Sequence, residues 1–364
     1  MPNVSLRTIG NAAGVSHMTV SLALRNHARI PLETRERIQQ VARDLGYSAN
    51  PLVAAWMSHR RCARATRDEP TIGFINCLSP PALMHEIQTF ERFFRGAGAR
   101  CEALGYQMEE LQLHAPGMRP DRLDRIFKAR GIRGLVVSAQ PTAHGHLRLD
   151  WSAYAAATHG YTLVRPNLSR ASNDFNSTAA LAIRQLRRRG YRRIGLLLAP
   201  EIDVRGRRLW SGSLMTYQQQ IAAADRIPFA EWRSDETVFR WLRKHRPEVI
   251  MTVHWQLLQL LQGAGYRAPE DIGLLHLDRH PCYEGWAGVD QQIEQAGAAA
   301  VDLVVERLLT NDLGLPSLPK IVLTQGCWRD GETLIRQGPP APLAGGRRRM
   351  RLRDWEEHCS VPRK

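Results

Sequence analysis

At 364 residues the chain exceeds one typical core and suits two or three domains, and 43% hydrophobic with 23% charged residues excludes a disordered or fibrous protein. Fifty Lys and Arg against 35 Asp and Glu leave a net charge of +15, which favours a polyanionic partner such as nucleic acid, although an arginine-rich proteome produces the same excess. No apolar run of about 18 residues and no charged-then-apolar leader occurs, so membrane spanning and secretion are not expected and a cytoplasmic location is.

Ser5 suits an N-cap for a first helix from Leu6 to Ala13, with Leu6, Ile9 and Ala13 on one face. Gly14 tolerates the left-handed turn that ends it, Val15 buries in the corner, and Ser16 caps a second helix running from His17 to about Arg25. On that helix Val20 and Leu24 pack with Val15, while His17, Met18, Ser21, Leu22 and Arg25 lie opposite. A third helix follows Pro31 to Thr34, with Ile38, Val41, Ala42 and Leu45 as its apolar stripe and Gly46 as its stop. Two short helices across one tight turn suit a DNA reader, and a plain helical bundle with a solvated basic face is the other reading.

Ala12, Ala13, Gly14, Val15, Ser16, Thr19, Val20, Ser21 and Leu24, followed by Thr34 to Arg37, Leu45 to Tyr47 and Asn50-Pro51, carry a wider pattern. In this register residues 4–60 resemble the N-terminal DNA-binding domain of the LacI/GalR, or lac-repressor, family of bacterial transcription regulators. The resemblance implies an all-α helix-turn-helix domain over 1–49 and a hinge helix with linker over 50–69. Asn50-Pro51 is a plausible helix start, but a run as short as Leu52 to His59 is marginal alone. In the family the hinge folds on the operator and wedges an apolar side chain into the minor groove. Here that role falls to Trp56, flanked by Val53 and Met57; alternatively Trp56 packs two hinges together.

Beyond Pro70 strand-like runs alternate with helical ones: TIGFINCL, YQMEELQL, GLVVSA and YTLVR, then, after the polar stretch NLSRASND, RIGLLLA, EVIMTV and GLLHL. Such alternation predicts parallel sheets with crossover helices, and two consecutive sets predict an α/β core of two Rossmann-like lobes. This resembles the family's periplasmic-binding-protein-like regulatory core, and the likeness continues in GYRRIGLL, PEDIGLLHLD and GVDQQIEQAGAAAVDLV. It implies a two-lobed effector-binding and dimerisation domain over 70–330; residues 331–364 read as a basic, flexible tail.

The resemblance and the helix faces together assign base reading to His17, Met18 and Leu22. The family usually has arginine where Leu22 stands, so a bidentate guanine contact is missing. Ser5, Ser16, Thr19, Ser21, Arg25 and Asn26 are the expected phosphate contacts. The effector is expected between the lobes at the carboxyl ends of strands. Asp174 and Asp278 match family pocket positions, while His254-Trp255 and Trp210 stand where sugar-binding members carry Asn-Asp and arginine. Aromatic faces with a few acceptors suit a sugar or nucleoside; equally, Trp210 and Trp255 fill the cleft themselves.

The six cysteines show no CxxC spacing, and no nucleophile elbow, HExxH, Walker or GxGxxG loop occurs, so no metal, no cofactor and no enzyme activity are expected. The expectation is a homodimeric operator-binding regulator, a repressor, with a small-molecule effector. The alternative is a ligand-binding module with weak or no operator binding.

Overall fold

The computed structural model describes residues 4–24, 27, 29–47, 70–335 and 338–339. Three helices open the chain, α1 (Leu6–Ala13), α2 (His17–Ala23) and α3 (Leu32–Asp44). Ile9, Ala13, Val20, Ala23, Ile38 and Ala42 are buried together, with Val15, Leu22, Leu24 and Val41 packed around them. Leu45, expected as the last member of the α3 stripe, is 38% exposed. The helix ends at Asp44 and Gly46 turns the chain at φ +70°, so Leu45 leaves the helical face.

By its contacts the chain divides into a first unit, residues 1–174, 204–207 and 290–327, and a second, residues 175–203, 208–289 and 328–364. The strands in chain order are β1 (Thr71–Asn76), β2 (Gln107–Gln112), β3 (Gly134–Val137), β4 (Gly145–His146), β5 (Ala155–His159), β6 (Leu163–Arg165), β7 (Ser169–Asn173), β8 (Ile194–Leu198), β9 (Ala230–Glu231), β10 (Val249–Thr252), β11 (Gly273–His276), β12 (Ala287–Asp290), β13 (Ile321–Thr324) and β14 (Cys327–Arg329). The helices between them are α4 (Leu83–Glu86), α5 (Gln88–Ala103), α6 (Pro120–Ala129), α7 (Phe175–Arg188), α8 (Pro200–Arg205), α9 (Leu209–Gln218), α10 (Asp235–His245), α11 (Gln256–Gly263) and α12 (Ile293–Thr310).

One six-stranded sheet runs β13-β7-β5-β3-β1-β2, with every neighbouring pair parallel. The other runs β14-β12-β11-β10-β8-β9, parallel from β12 to β9. The predicted alternation thus builds two parallel sheets whose central strands are buried, as crossover helices on a parallel sheet require, while the edge strands β2, β13 and β14 are partly exposed.

The sequence reading departs from the structure at several strands, missing the central β5 and the late β13 and β14 and misplacing two others. YTLVR contributes only β6, which pairs with β4 outside both large sheets. Within the stretch expected to separate the lobes, Ser169–Asn173 is a fully buried strand instead. Its polar groups are satisfied by distant partners. Ser169 Oγ accepts the Lys320 N–H at 3.1 Å, Arg170 donates to the carbonyls of Gly160 and Leu163 at 3.1 and 3.3 Å, and Asn173 Nδ2 donates to the Gln291 carbonyl at 2.7 Å.

In the first unit α5 and α12 meet backbone to backbone. A Cβ on Gly96 would lie 2.2 Å from the Glu294 carbonyl oxygen, and one on Gly297 would lie 2.2 Å from that of Phe93. Beside this crossing Arg92 donates to Glu294 at 2.6 Å and to Asp290 at 3.0 Å. In the second unit packing extends past the point where the sequence places the tail. Thr333 Oγ1 donates to the Leu274 carbonyl and accepts the Ala287 N–H, and Leu334 is buried.

Candidate nucleic-acid interface and ligand site

The N-terminal domain is held in shape by local polar contacts. Ser5 Oγ accepts the Thr8 N–H at 3.2 Å and Ser16 Oγ accepts the Thr19 N–H at 3.1 Å, so both serines cap their helices. Gly14 turns between them at φ +66°. Gly10 lets α2 begin against α1, since a Cβ there would sit 2.8 Å from the Val15 carbonyl oxygen. From α3, Arg37 Nη1 donates to the Ala13 carbonyl at 2.9 Å and Gln39 Nε2 to the Ala23 carbonyl at 3.0 Å. One helix therefore ties down the carboxyl ends of the other two. Sequence reasoning did not single out Gly10, Arg37 or Gln39 for these tasks.

The α2 surface so positioned is led by His17 and Met18, both exposed, Met18 by 60%. Leu22 is half-buried and packs on the domain core, and Thr19 and Ser21 are half-buried too. Arg25 and Asn26, like the hinge residues Val53, Trp56 and Met57, lie outside the described residues.

In the second unit, parallel pairing of β10 with β11 sets Thr252 opposite His276. The residues that follow these strands, His254-Trp255 and Asp278, are thereby brought to one end of one sheet. His254 Nε2 accepts the Ala199 N–H, just beyond β8, at 2.8 Å, and burial lowers its pKa. Trp255 is 39% exposed and its ring stacks with Tyr283 at 6.4 Å. Asp278 Oδ2 lies 3.3 Å from His280 Nε2.

Sequence reasoning missed His276, His280 and Tyr283, whose signal was the density of rings in HLDRHPCYEGW. The His276 ring is buried, accepts the Asp278 N–H at Nδ1 at 3.2 Å, and packs 4.9 Å from Tyr283 and edge-on to Trp286 at 5.5 Å. Burial pushes its pKa down to about 3 and raises that of the Tyr283 hydroxyl to about 12. The surroundings are aromatic, with His276 held neutral, and chemically suited to ring faces.

The other two expected pocket residues have different surroundings. Trp210 is buried in the core of the second unit, edge-on to Phe175 at 5.1 Å. Asp174 belongs to the first unit, half-buried at the end of β7, where its N–H donates to the Thr324 carbonyl at 2.9 Å.

No helix among the described residues is long and apolar enough to cross a membrane. Residues 5–50 match the family described as bacterial regulatory proteins, lacI family, and residues 183–330 match the periplasmic binding protein-like domain. No curated protein matches the chain. Among solved structures, a transcriptional regulator CelR–cellobiose complex superposes with a TM-score of 0.53 at 17% identity, covering 90% of this chain and 99% of that one. The lac repressor dimer bound to operator and the anti-inducer ONPF gives 0.52 at 16%, covering 91% and 99%. A transcription regulator-like protein from Staphylococcus haemolyticus gives 0.54 at 16%, covering 74% and 100%. At these identities the likeness speaks to the fold, a helix-turn-helix domain followed by two parallel-sheet lobes. With the N-terminal match and the periplasmic-binding-protein-like match in one chain, this protein belongs to the lacI family of bacterial regulatory proteins.

Proposed function

We propose that the protein is a transcriptional repressor that binds a palindromic operator as a homodimer and answers to a small-molecule effector. The observation that carries this reading is the exposed first turn of α2, where His17 and Met18 project from a frame braced by Arg37 and Gln39. A major groove admits such a helix, and its leading side chains meet base edges. Leu22 contributes an apolar contact, and Ser5, Ser16, Thr19, Ser21, Arg25 and Asn26 follow the backbone. Trp56, with Val53 and Met57, supplies the minor-groove wedge. Two half-sites compensate for a reading face that lacks arginine.

The effector is a sugar- or nucleoside-like molecule. His254, Trp255 and Asp278 at the strand ends of the second unit are its proposed contacts there; Asp174, in the first unit, is a candidate on the resemblance alone. Trp210 serves the core, as its burial supports.

Selection of genomic fragments by the full chain, followed by sequencing, should return palindromic sites. Affinity for them should fall steeply with salt, the logarithmic slope dropping about 0.9 for each phosphate neutralised. Absence of any DNA shift at low salt would leave the ligand-binding module as the reading.

A further inference from the structure

Three arginines of the first unit, Arg170, Arg205 and Arg207, lie about its strand ends, and neutral oxygens hold the first two in place. Arg205 Nη1 donates to the carbonyls of Gln140 and Pro141, beyond β3, at 2.7 and 2.8 Å. Arg170, 3% exposed, donates to the carbonyls of Gly160 and Leu163 and to Asn167 Oδ1 at 3.2 Å. Arg207 is exposed, and its guanidinium lies 4.9 Å from the ring centre of Tyr161, with that of Arg170 at 5.9 Å from the same ring.

Bringing like charges together in a desolvated setting is unfavourable unless an opposite charge compensates. Burial and then the charge of Arg207 lower the pKa of Arg170, and burial lowers that of Arg205. The charges acting on Tyr161 are those of Arg207 and Arg170, which lower its pKa, and that of Asp174, which raises it. Arg207 and its neighbour Arg208 also hold left-handed backbone, at φ +54° and +56°, a conformation unfavourable for non-glycine residues. Both the charge and the backbone conformation are unfavourable in the free protein, and a bound oxyanion would relieve the first.

We propose that the first unit takes an oxyanion, the carboxylate or phosphate of a small-molecule ligand, on Arg207, in the positive field of Arg170 and Arg205 and against the ring of Tyr161. The assignment rests on the effector reading and narrows its ligand to an acidic molecule. An exposed arginine fork is the group for the task, since it matches carboxylate and phosphate in a bidentate manner.

Thermal melting of the full chain in inorganic phosphate, balanced with chloride at constant ionic strength, tests it. The unsubstituted chain should show a saturable rise of roughly 2–4 °C. Arg207→Gln should abolish the rise while melting no lower than the parent in chloride, because its removal relieves like charge; Arg207→Lys, which keeps a cation, should restore part of it. No rise in the parent, or an equal rise in Arg207→Gln, overturns the oxyanion site. A parallel screen of neutral sugars and nucleosides separates the two readings: a response there with none to phosphate removes the oxyanion site and leaves the effector.

Discussion

Arg37 of α3 donates its Nη1 hydrogen to the main-chain carbonyl of Ala13, the last residue of α1, at 2.9 Å. With the Gln39 bond to the Ala23 carbonyl and the turn at Gly14, this bond sets where the first helix stops relative to the third, and so how the second is presented. Arg37→Met should lower the stability of the N-terminal domain by about 1 kcal/mol, the net worth of such a bond. The loss should be visible in chemical denaturation of the full chain, together with weaker DNA binding. An unchanged midpoint with unchanged affinity would show that the bond does not brace the domain.

Leu22 and Met18 share a helix but should behave differently. Half-buried against the core, Leu22→Ala should destabilise the domain by about 1–2 kcal/mol, within the cost of burying less side chain. Met18→Ala and His17→Ala should leave stability within about 0.5 kcal/mol, since both positions are exposed. They should instead change the preferred bases, by about 1–3 kcal/mol per altered contact, when randomised half-sites are competed. Unaltered site preference in both variants would remove base reading from the first turn.

Two glycines two residues apart in α5 offer a sharper contrast. Gly96→Ala would drive a Cβ into the backbone of α12 at Glu294, with a cost of about 3 kcal/mol. Gly98→Ala would meet only the terminal methyl of Met108 at 3.3 Å, which can move aside. It should be neutral or stabilising by up to about 1 kcal/mol, because alanine favours helix over glycine. Melting temperatures of the two variants decide the matter, and equal losses would mean that the helices do not cross at Gly96.

Acid should weaken the second unit through His276. Its folded pKa lies at about 3, against an ordinary 6.5, so the unfolded chain binds more protons between those values. Stability therefore falls as pH drops from about 6.5 toward 3, and by pH 4.5 the loss is on the order of 2–3 kcal/mol. His254, also lowered by burial, adds in the same direction. Denaturant midpoints measured across this range should flatten in His276→Asn, whose side-chain oxygen can still accept the Asp278 N–H. A slope unchanged by that substitution would assign the acid sensitivity to other groups.

The sequence by itself determined the order of elements at the N-terminus and the alternation that makes two parallel sheets. Caps such as Ser5 and Ser16, the left-handed Gly14, and apolar spacing are local signals, governed by backbone geometry within a turn or two of helix. Helical spacing placed Leu22 opposite Val20, but whether a side chain at the edge of a face is covered depends on the packing of the three-helix core. Likewise Ser169–Asn173 is polar enough to read as a connection, and becomes a buried strand because Gln291 and Lys320, 118 and 151 positions away, satisfy its polar groups. The grouping of Arg170, Arg205 and Arg207 around Tyr161 and neighbouring loops arises in the same way. Tertiary structure alone decided these, since charge and hydrogen-bond partners act through space while the sequence orders residues along a line.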